Sequence, residues 1–136
     1  MMFHNVRDEH NGLGMKTVLI VDNSTAMRQL LSFALKDAGY WVVSAASKED
    51  AAGTLDGSKI EMVIVGLSEK KEGAALIQEV RSKAEYRTTP IVILSGDYLG
   101  KKAHQATKIS ASALIMKPFT PKQLIDVVRQ FLRTGT

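Results

Sequence analysis

The chain of 136 residues has no cysteine, only three prolines and no long hydrophobic run. Without cysteine there is no disulfide framework, no thiolate metal site and no thiol nucleophile. The longest apolar runs are about four residues, far short of the roughly 20 that a membrane-spanning helix needs. The first residues also lack the charged start and apolar stretch of a signal peptide, so we expect a cytoplasmic protein that does not enter a membrane.

The length and composition are those of one folded domain. Hydrophobic residues make up 45% and charged residues 24% of the chain, which is ordinary for a globular protein and excludes wholesale disorder. Residues 1–15 show no apolar periodicity, so we expect a disordered leader there. The single domain is predicted to span residues 16–134.

The net charge of +4 is distributed unevenly. From Lys101 to Thr136 there are seven basic residues and one acid, Asp126, which gives this segment a charge of +6. The preceding residues contain eleven bases and 13 acids and carry a charge of −2. The basic surplus is therefore local, and it predicts a surface that meets an anionic partner.

Five short apolar segments predict five buried β-strands. Their starts are spaced by roughly 20–30 residues, which leaves room for a helix between each pair and excludes simple hairpins. Several are rich in Val and Ile and apolar at every position, a pattern typical of strands that are covered on both faces of a parallel sheet. The segments are residues 18–21, 41–43, 62–65, 91–94 and 113–116.

The segments between these strands carry the apolar periodicity of helices. Ser24 or Thr25 is expected to cap the first helix, and Gly39 to end it. The second is predicted to open at Ser47, and the fourth to run over residues 101–109. Thr120 is the expected cap of the fifth, ahead of a proline at the first helical position.

The predicted apolar stripes define which side chains these helices bury. Together with the strands they predict an α/β domain with a parallel sheet. The first stripe is Met27, Leu30, Leu31, Ala34 and Leu35, the third is Leu76, Ile77, Val80 and Ala84, and the fifth is Leu124, Val128, Phe131 and Leu132.

Polar or small residues follow four of the five predicted strands. In open parallel sheets ligands bind beyond the carboxyl ends of the strands, so side chains at these positions are expected to converge in one crevice. The set contains an acid, a hydroxyl and a lysine, each just past a different strand. The residues are Asp22 and Asn23, then Gly66, Ser95 and Lys117.

Three of these strand ends resemble the response-regulator receiver domains of two-component signalling. The segments are residues 18–24 (VLIVDNS), residues 89–96 (TPIVILSG) and residues 117–119 (KPF), and the resemblance extends from about residue 16 to 132. It implies a doubly wound, flavodoxin-like sheet of five parallel strands in the order 2-1-3-4-5 with five helices. It also implies a cis peptide bond between Lys117 and Pro118.

The resemblance implies phosphoryl transfer, but this chain departs from the pattern at the decisive positions. In the family an aspartate after the third strand accepts a phosphoryl group from a histidine kinase, and two acids after the first strand help to hold Mg²⁺. Here Gly66 occupies the acceptor position and Asn23 replaces one acid, which leaves Asp22 as the remaining carboxylate. We therefore expect a weak or absent Mg²⁺ site at Asp22.

The residues that remain are interpreted as a vestigial phosphorylation site: Asp22, Asn23, Gly66, Ser95 and Lys117. Without its phosphoryl partner, Lys117 is predicted to pair with Asp22 in a structural contact. A displaced acceptor is the alternative, with Ser68 or Glu69 in the loop after Gly66 as candidates. Asp56 precedes the third strand and is expected at the opposite edge of the sheet.

We expect a stand-alone protein-interaction module in two-component signalling, without enzymatic activity. Its contact surface is predicted on the fourth helix, fifth strand and fifth helix, with another signalling protein as partner, such as a histidine kinase or an acidic output protein. A functional receiver and a weak polyanion or nucleic-acid binder remain alternatives, although aromatic residues total only 6% and none interleaves the lysines. The basic residues of the surface are Lys101, Lys102, Lys108, Lys122, Arg129 and Arg133.

Overall fold

A five-stranded parallel sheet forms the centre of the structure, a computed structural model that describes residues 14–96 and 111–133. The strand order is β2-β1-β3-β4-β5, which confirms the predicted doubly wound topology. Every pairing is parallel, and each predicted strand is present with ends that differ by at most two residues. The strands are β1 (Thr17–Val21), β2 (Trp41–Ala45), β3 (Met62–Val65), β4 (Ile91–Ser95) and β5 (Ala113–Met116).

The described residues contain four α-helices and one 3₁₀ turn. They are α1 (Thr25–Asp37), α2 (Lys48–Thr54), α3 (Lys70–Ser82), the 3₁₀ turn Ala84–Tyr86, and α4 (Pro121–Phe131). Of these, α1, α2, α3 and the 3₁₀ turn lie between strands, and α4 follows the last strand. The fifth predicted helix corresponds to α4 of the structure. The fourth predicted helix, at residues 101–109, and leader residues 1–13 lie outside the described residues. In residues 14–96 and 111–133 no helix has the length and apolar character needed to cross a bilayer.

The helix ends form where local side-chain chemistry favours them. Ser24, rather than Thr25, caps α1, since its Oγ accepts a hydrogen bond from the Met27 amide at 3.1 Å. At the other end, Gly39 has φ +99°, a left-handed conformation that closes the last turn without a Cβ clash. Thr120 and Gln123 form a reciprocal capping box at the start of α4.

Two apolar layers cover the sheet, because successive side chains of a strand point to opposite faces. Val18 and Ile20 of β1 face the layer that contains α1 and α4. Leu19 and Val21 face the layer that contains α2 and α3. All residues of β1 and β3 are buried, which confirms the expectation of strands covered on both faces.

Three predicted core positions are wrong. Leu30 is 43% exposed because the buried face of α1 consists of Leu31, Ala34 and Leu35. Phe131 is 38% exposed because α4 ends there, and Leu132 in extended backbone is buried instead. Ala84 lies outside α3, since the extended residue before it ends that helix and a 3₁₀ turn follows.

Candidate functional site

The crevice between β1 and β3 marks the point where the strand order reverses. Asp22 follows β1 and Gly66 follows β3, and backbone hydrogen bonds hold both residues in the sheet. The Asp22 amide donates to the Ala45 carbonyl at 3.1 Å, and the Gly66 amide donates to the Val21 carbonyl at 2.7 Å. The two residues therefore sit side by side at the edge where this topology places ligand sites.

The Asp22 carboxylate is buried at this edge, with only 3% of the side chain exposed. Its Oδ1 accepts a hydrogen bond from the Ser24 amide at 2.8 Å. Within the part of the chain that the structure describes, Oδ2 is buried and accepts no hydrogen bond. Lys117 Nζ lies 3.8 Å from Oδ2, so the predicted contact between Asp22 and Lys117 is present and supplies the counter-charge that a buried carboxylate needs.

Gly66 makes room for the Asp22 carboxylate. A Cβ built on Gly66 would overlap Asp22 Oδ2 and come within 3.1 Å of Asp22 Cγ. The backbone of Gly66 is not in the left-handed region, so the glycine is required for space and not for its conformational freedom. Asp22 thus occupies the volume that any side chain at position 66 would enter.

Asn23 is turned away from this buried pair and towards the loop that follows β3. Its Oδ1 accepts hydrogen bonds from the Ser68 amide at 2.8 Å and from Ser68 Oγ at 3.0 Å. Its Nδ2 donates to the Ala46 carbonyl at 3.3 Å. Asn23 therefore ties the loops after three strands together on the exposed side of the crevice.

Ser95 and Lys117 reach the same edge from β4 and β5. Ser95 pairs with Met116 across the two strands, and the Lys117 amide donates to the Ser95 carbonyl at 2.7 Å. The peptide bond between Lys117 and Pro118 is cis, as the resemblance implied. The sheet thus assembles all five predicted residues along its carboxyl edge, where Asp22 and Gly66 are buried and Lys117 is half-buried.

The donor set at this edge does not fit a magnesium ion. Mg²⁺ prefers several charged or neutral oxygen ligands in near-octahedral geometry. Asp22 is the carboxylate here, with Oδ1 held by an amide and Oδ2 next to the Lys117 ammonium group, while the Asn23 oxygen is engaged by two donors. Residues 14–96 and 111–133 contain no cluster of three acidic, histidine or cysteine side chains that could hold a metal ion.

Arg28 belongs to the site although the strand-end pattern did not select it. Its Nη1 donates to the Asp22 carbonyl at 2.7 Å, and its Nη2 donates to Thr25 Oγ1 at 3.1 Å. The guanidinium group therefore braces the turn between β1 and α1. The available signal was its position one turn into the helix that follows the acidic residue.

The alternative acceptor residues and the basic residues lie apart from the buried pair. Ser68 and Glu69 are exposed in the loop before α3, and Ser68 is bound to Asn23. On α4, Lys122 is 84% exposed and forms an ion pair with Asp126 at 2.7 Å. Arg129 and Arg133 are exposed, whereas Lys101, Lys102 and Lys108 lie outside the described residues.

A family comparison agrees with this architecture. Residues 18–129 match the sequence profile described as "Response regulator receiver domain". The chain belongs to the response regulator receiver domain family.

Individual relatives show the same relationship. The probable transcriptional regulator ycf27 of Guillardia theta is 33% identical over 119 residues, which cover 85% of this chain and 45% of that protein. The chain spans about half the length of the curated relatives it matches.

Among solved structures, the chemotaxis response regulator CheY4 of Vibrio cholerae has a TM-score of 0.79 at 29% identity, covering 87% of this chain and 99% of that chain. The receiver domain of NtrX from Brucella abortus has a TM-score of 0.75 at 25% identity, covering 87% and 99%.

Proposed function

We propose that this receiver domain does not carry out phosphoryl transfer and acts as a protein-interaction module in two-component signalling. The observation that carries the proposal is the position of the Asp22 carboxylate. It fills the space next to Gly66 and is paired with Lys117, so the residues that would handle a phosphoryl group bind one another instead.

The candidate nucleophiles support this proposal. Attack on a phosphoryl donor requires an accessible oxygen in line with the leaving group. Asp22 Oδ2 is buried, so it cannot meet that requirement in this conformation. Ser68 and Glu69 are accessible, but Ser68 is engaged by Asn23 Oδ1 and the Lys117 ammonium group is paired with Asp22, which weakens the alternative of a displaced acceptor.

The basic surface suggests the chemistry of a partner. The exposed side chains of Lys122, Arg129 and Arg133 favour an acidic protein, such as a histidine kinase or an acidic output protein. Part of this charge is already neutralised because Lys122 pairs with Asp126. A local surface of this kind supports steering and orientation of a protein partner more than tight binding of a nucleic acid.

The experiment is an NMR titration of the full ¹⁵N-labelled chain with Mg²⁺ and beryllofluoride, a phosphoryl analogue. We expect no saturable shifts at Asp22, Ser95 or Lys117 in the wild-type chain. Gly66→Asp alone should respond weakly, because Asn23 still leaves the site one acid short and the new Cβ overlaps the Asp22 carboxylate. Gly66→Asp combined with Asn23→Asp should respond much more strongly, since it restores the acids that a metal site needs.

Two results would contradict the proposal. Saturable shifts in the wild-type chain, clustered at the carboxyl edge of the sheet, would establish a working receiver site. A gain of mass after incubation with acetyl phosphate, abolished by Glu69→Gln or Ser68→Ala, would identify a displaced acceptor. Titration with a DNA duplex in the same buffer tests the polyanion alternative. Chemical-shift changes of α4 residues at physiological salt would support binding of a nucleic acid.

A further inference from the structure

Strand β2 forms one edge of the sheet within the described part of the chain. Its inner side pairs with β1, and the pairing begins where the Trp41 amide donates to the Lys16 carbonyl at 2.9 Å. Successive residues of a strand direct their backbone groups to opposite sides, so the N–H and C=O groups of Val42 and Ser44 point away from β1. The outer edge therefore presents two donors and two acceptors, and no described strand lies beside them.

This edge lacks the features that usually keep edge strands apart. Natural edge strands carry charged side chains or proline, contain a bulge, or are covered by another element. Residues 38–47, which include all of β2, contain no charged residue and no proline. Within β2, Ser44 is exposed, whereas Trp41, Val42 and Val43 are half-buried. The edge thus combines outward backbone groups with a neutral surface on which a second strand can lie.

We propose that this edge pairs with the same edge of a second copy of the chain, antiparallel about a two-fold axis at Val43. Val42 of each copy then lies opposite Ser44 of the other, and both occupy hydrogen-bonded positions of an antiparallel pair. Four backbone hydrogen bonds form, and they use every outward group of these two residues. An interface that uses the same surface on both copies is isologous and closes at two subunits.

The neighbouring backbone groups argue against other symmetric registers. An axis at Val42 would place Ser44 opposite Tyr40, whose amide already donates to a carbonyl in the last turn of α1 at 3.0 Å. An axis at Ser44 would place Val42 opposite Ala46. The Ala46 amide already donates to an aspartate side chain of α2 at 3.4 Å, and its carbonyl accepts from an asparagine side chain at 3.3 Å. The axis at Val43 is therefore the one that satisfies all four outward groups.

The neutrality and the symmetry of the edge favour a second copy over a peptide of another protein. Two uncharged edges approach each other without the like-charge contacts that destabilise strand pairs. The second copy also presents backbone groups that its own sheet already holds in place, so pairing orders few further residues. A free peptide would lose its backbone freedom on binding. The proposal does not depend on whether phosphoryl chemistry has been lost.

The size of the edge predicts a weak dimer. The five residues of β2 span about 17 Å at 3.3 Å per residue, and the contact consists of one strand from each copy. Such a contact is smaller than the standard interface, which buries about 800 Å² on each partner. We therefore expect a dissociation constant on the order of 100 μM.

The test is sedimentation equilibrium of the full chain from roughly 5 μM to 1 mM, a range that brackets the expected dissociation constant. The average mass of the wild-type chain should rise towards that of two copies. Ser44→Pro removes an amide that points away from β1, and the two-fold axis doubles the loss, so association should weaken at least about tenfold. Ser44→Ala is the matched control, because it keeps the amide and should associate as the wild-type chain does.

Introduced cysteines test the register, since the chain has no cysteine of its own. Val43→Cys places the two thiols at directly opposed positions without hydrogen bonds, where Cα atoms lie about 4.5 Å apart and a disulfide can form. In Ser44→Cys the two Cα atoms are offset by two residues and lie roughly 8–9 Å apart, beyond disulfide reach. Mild oxidation should therefore yield a covalent dimer of the Val43 variant and little of the Ser44 variant, although Ser44 is the more exposed residue.

Three results would overturn the proposal. The first is a wild-type chain that stays monomeric at the highest concentration. The second is equal association of Ser44→Pro and Ser44→Ala, which would place any dimer interface away from β2. The third is cross-linking of Ser44→Cys that equals or exceeds that of Val43→Cys, which would follow exposure and not the proposed register.

Discussion

Replacing Gly66 by alanine tests whether the Asp22 carboxylate occupies the space beside it. The added methyl group would overlap Asp22 Oδ2 and approach Cγ to 3.1 Å, so the carboxylate must rotate. Rotation breaks the hydrogen bond from the Ser24 amide at 2.8 Å and the 3.8 Å contact with Lys117. The perturbation thus reports directly on the buried pair.

The size of the effect follows from two opposing contributions. A hydrogen bond to a charged group contributes about 1.5–3 kcal/mol to stability. Alanine also restricts the unfolded chain, which contributes about 0.4–1 kcal/mol in favour of the variant where the backbone accepts it, as it does at Gly66. We therefore expect Gly66→Ala to lower the free energy of unfolding by about 1–2 kcal/mol.

Urea unfolding of the variant and of a matched glycine control measures this change. Gly53→Ala is the control because a Cβ at Gly53, inside α2, meets nothing within 4 Å. It should stabilise the chain by about 0.5–1 kcal/mol. The two glycine variants are thus expected to change stability in opposite directions.

A double-mutant cycle with Asp22→Ala isolates the contact itself. Without the carboxylate, Gly66→Ala has nothing to displace and should be neutral or stabilising, which corresponds to a coupling of about 1–3 kcal/mol. If Gly66→Ala stabilises the wild-type chain as much as Gly53→Ala does, the carboxylate is not where the structure has it. A coupling near zero would refute the reasoning equally.

Two further predictions concern the layer that contains α1 and α4. Burial raises the pKa of Tyr40 above its ordinary value of 10.0 against the opposing effect of Arg129, so the folded state retains the phenolic proton longer than the unfolded chain. Stability should be unaffected by this group below pH 10 and fall as the pH rises further. The Tyr40 hydroxyl donates to the Leu132 carbonyl at 2.6 Å, so the wild-type chain should be about 1 kcal/mol more stable than Tyr40→Phe. This difference in unfolding free energy should shrink above pH 10 in urea titrations. A difference that stays constant with pH would exclude the effect. Thr120→Ala should lower the free energy of unfolding by about 1 kcal/mol, because it removes the capping box with Gln123. Thr120→Ser keeps the hydroxyl and should retain most of that stability. Equal losses of stability in the two variants would argue against capping.

The sequence was sufficient for the sheet because its signals are local and mutually consistent. β1 and β3 are covered on both faces, so every residue after Thr17 in β1 and every residue of β3 is apolar, and the strands stand out from the polar segments around them. Ser24 and Gly39 mark the ends of α1 by the same chemistry that operates in isolated helices. Where local propensity and tertiary packing agree, the pattern and the structure coincide.

The side-chain arrangement of the site depended on contacts that no local pattern contains. The sequence places Asp22 after β1, but the direction of its carboxylate depends on the space at Gly66 and on Lys117, which come from other strands. The exposure of Leu30 and Phe131 likewise depends on how far the neighbouring elements extend over each helix. Periodicity identifies a stripe, whereas packing decides which edge of the stripe is covered.

The interlocked arrangement also bears on what phosphoryl chemistry would require at this edge of the sheet. An aspartate at position 66 introduces a Cβ into the volume of the Asp22 carboxylate, so the first substitution carries a structural cost before it adds any function. The displaced carboxylate would then separate from Lys117, and Asn23 would still be engaged by Ser68. Each single substitution is therefore opposed by contacts that the present residues make with one another. A lone substitution at position 66 or 23 also leaves the edge one acid short, which is why the combined replacement of Gly66 and Asn23, and not either alone, is expected to give a response.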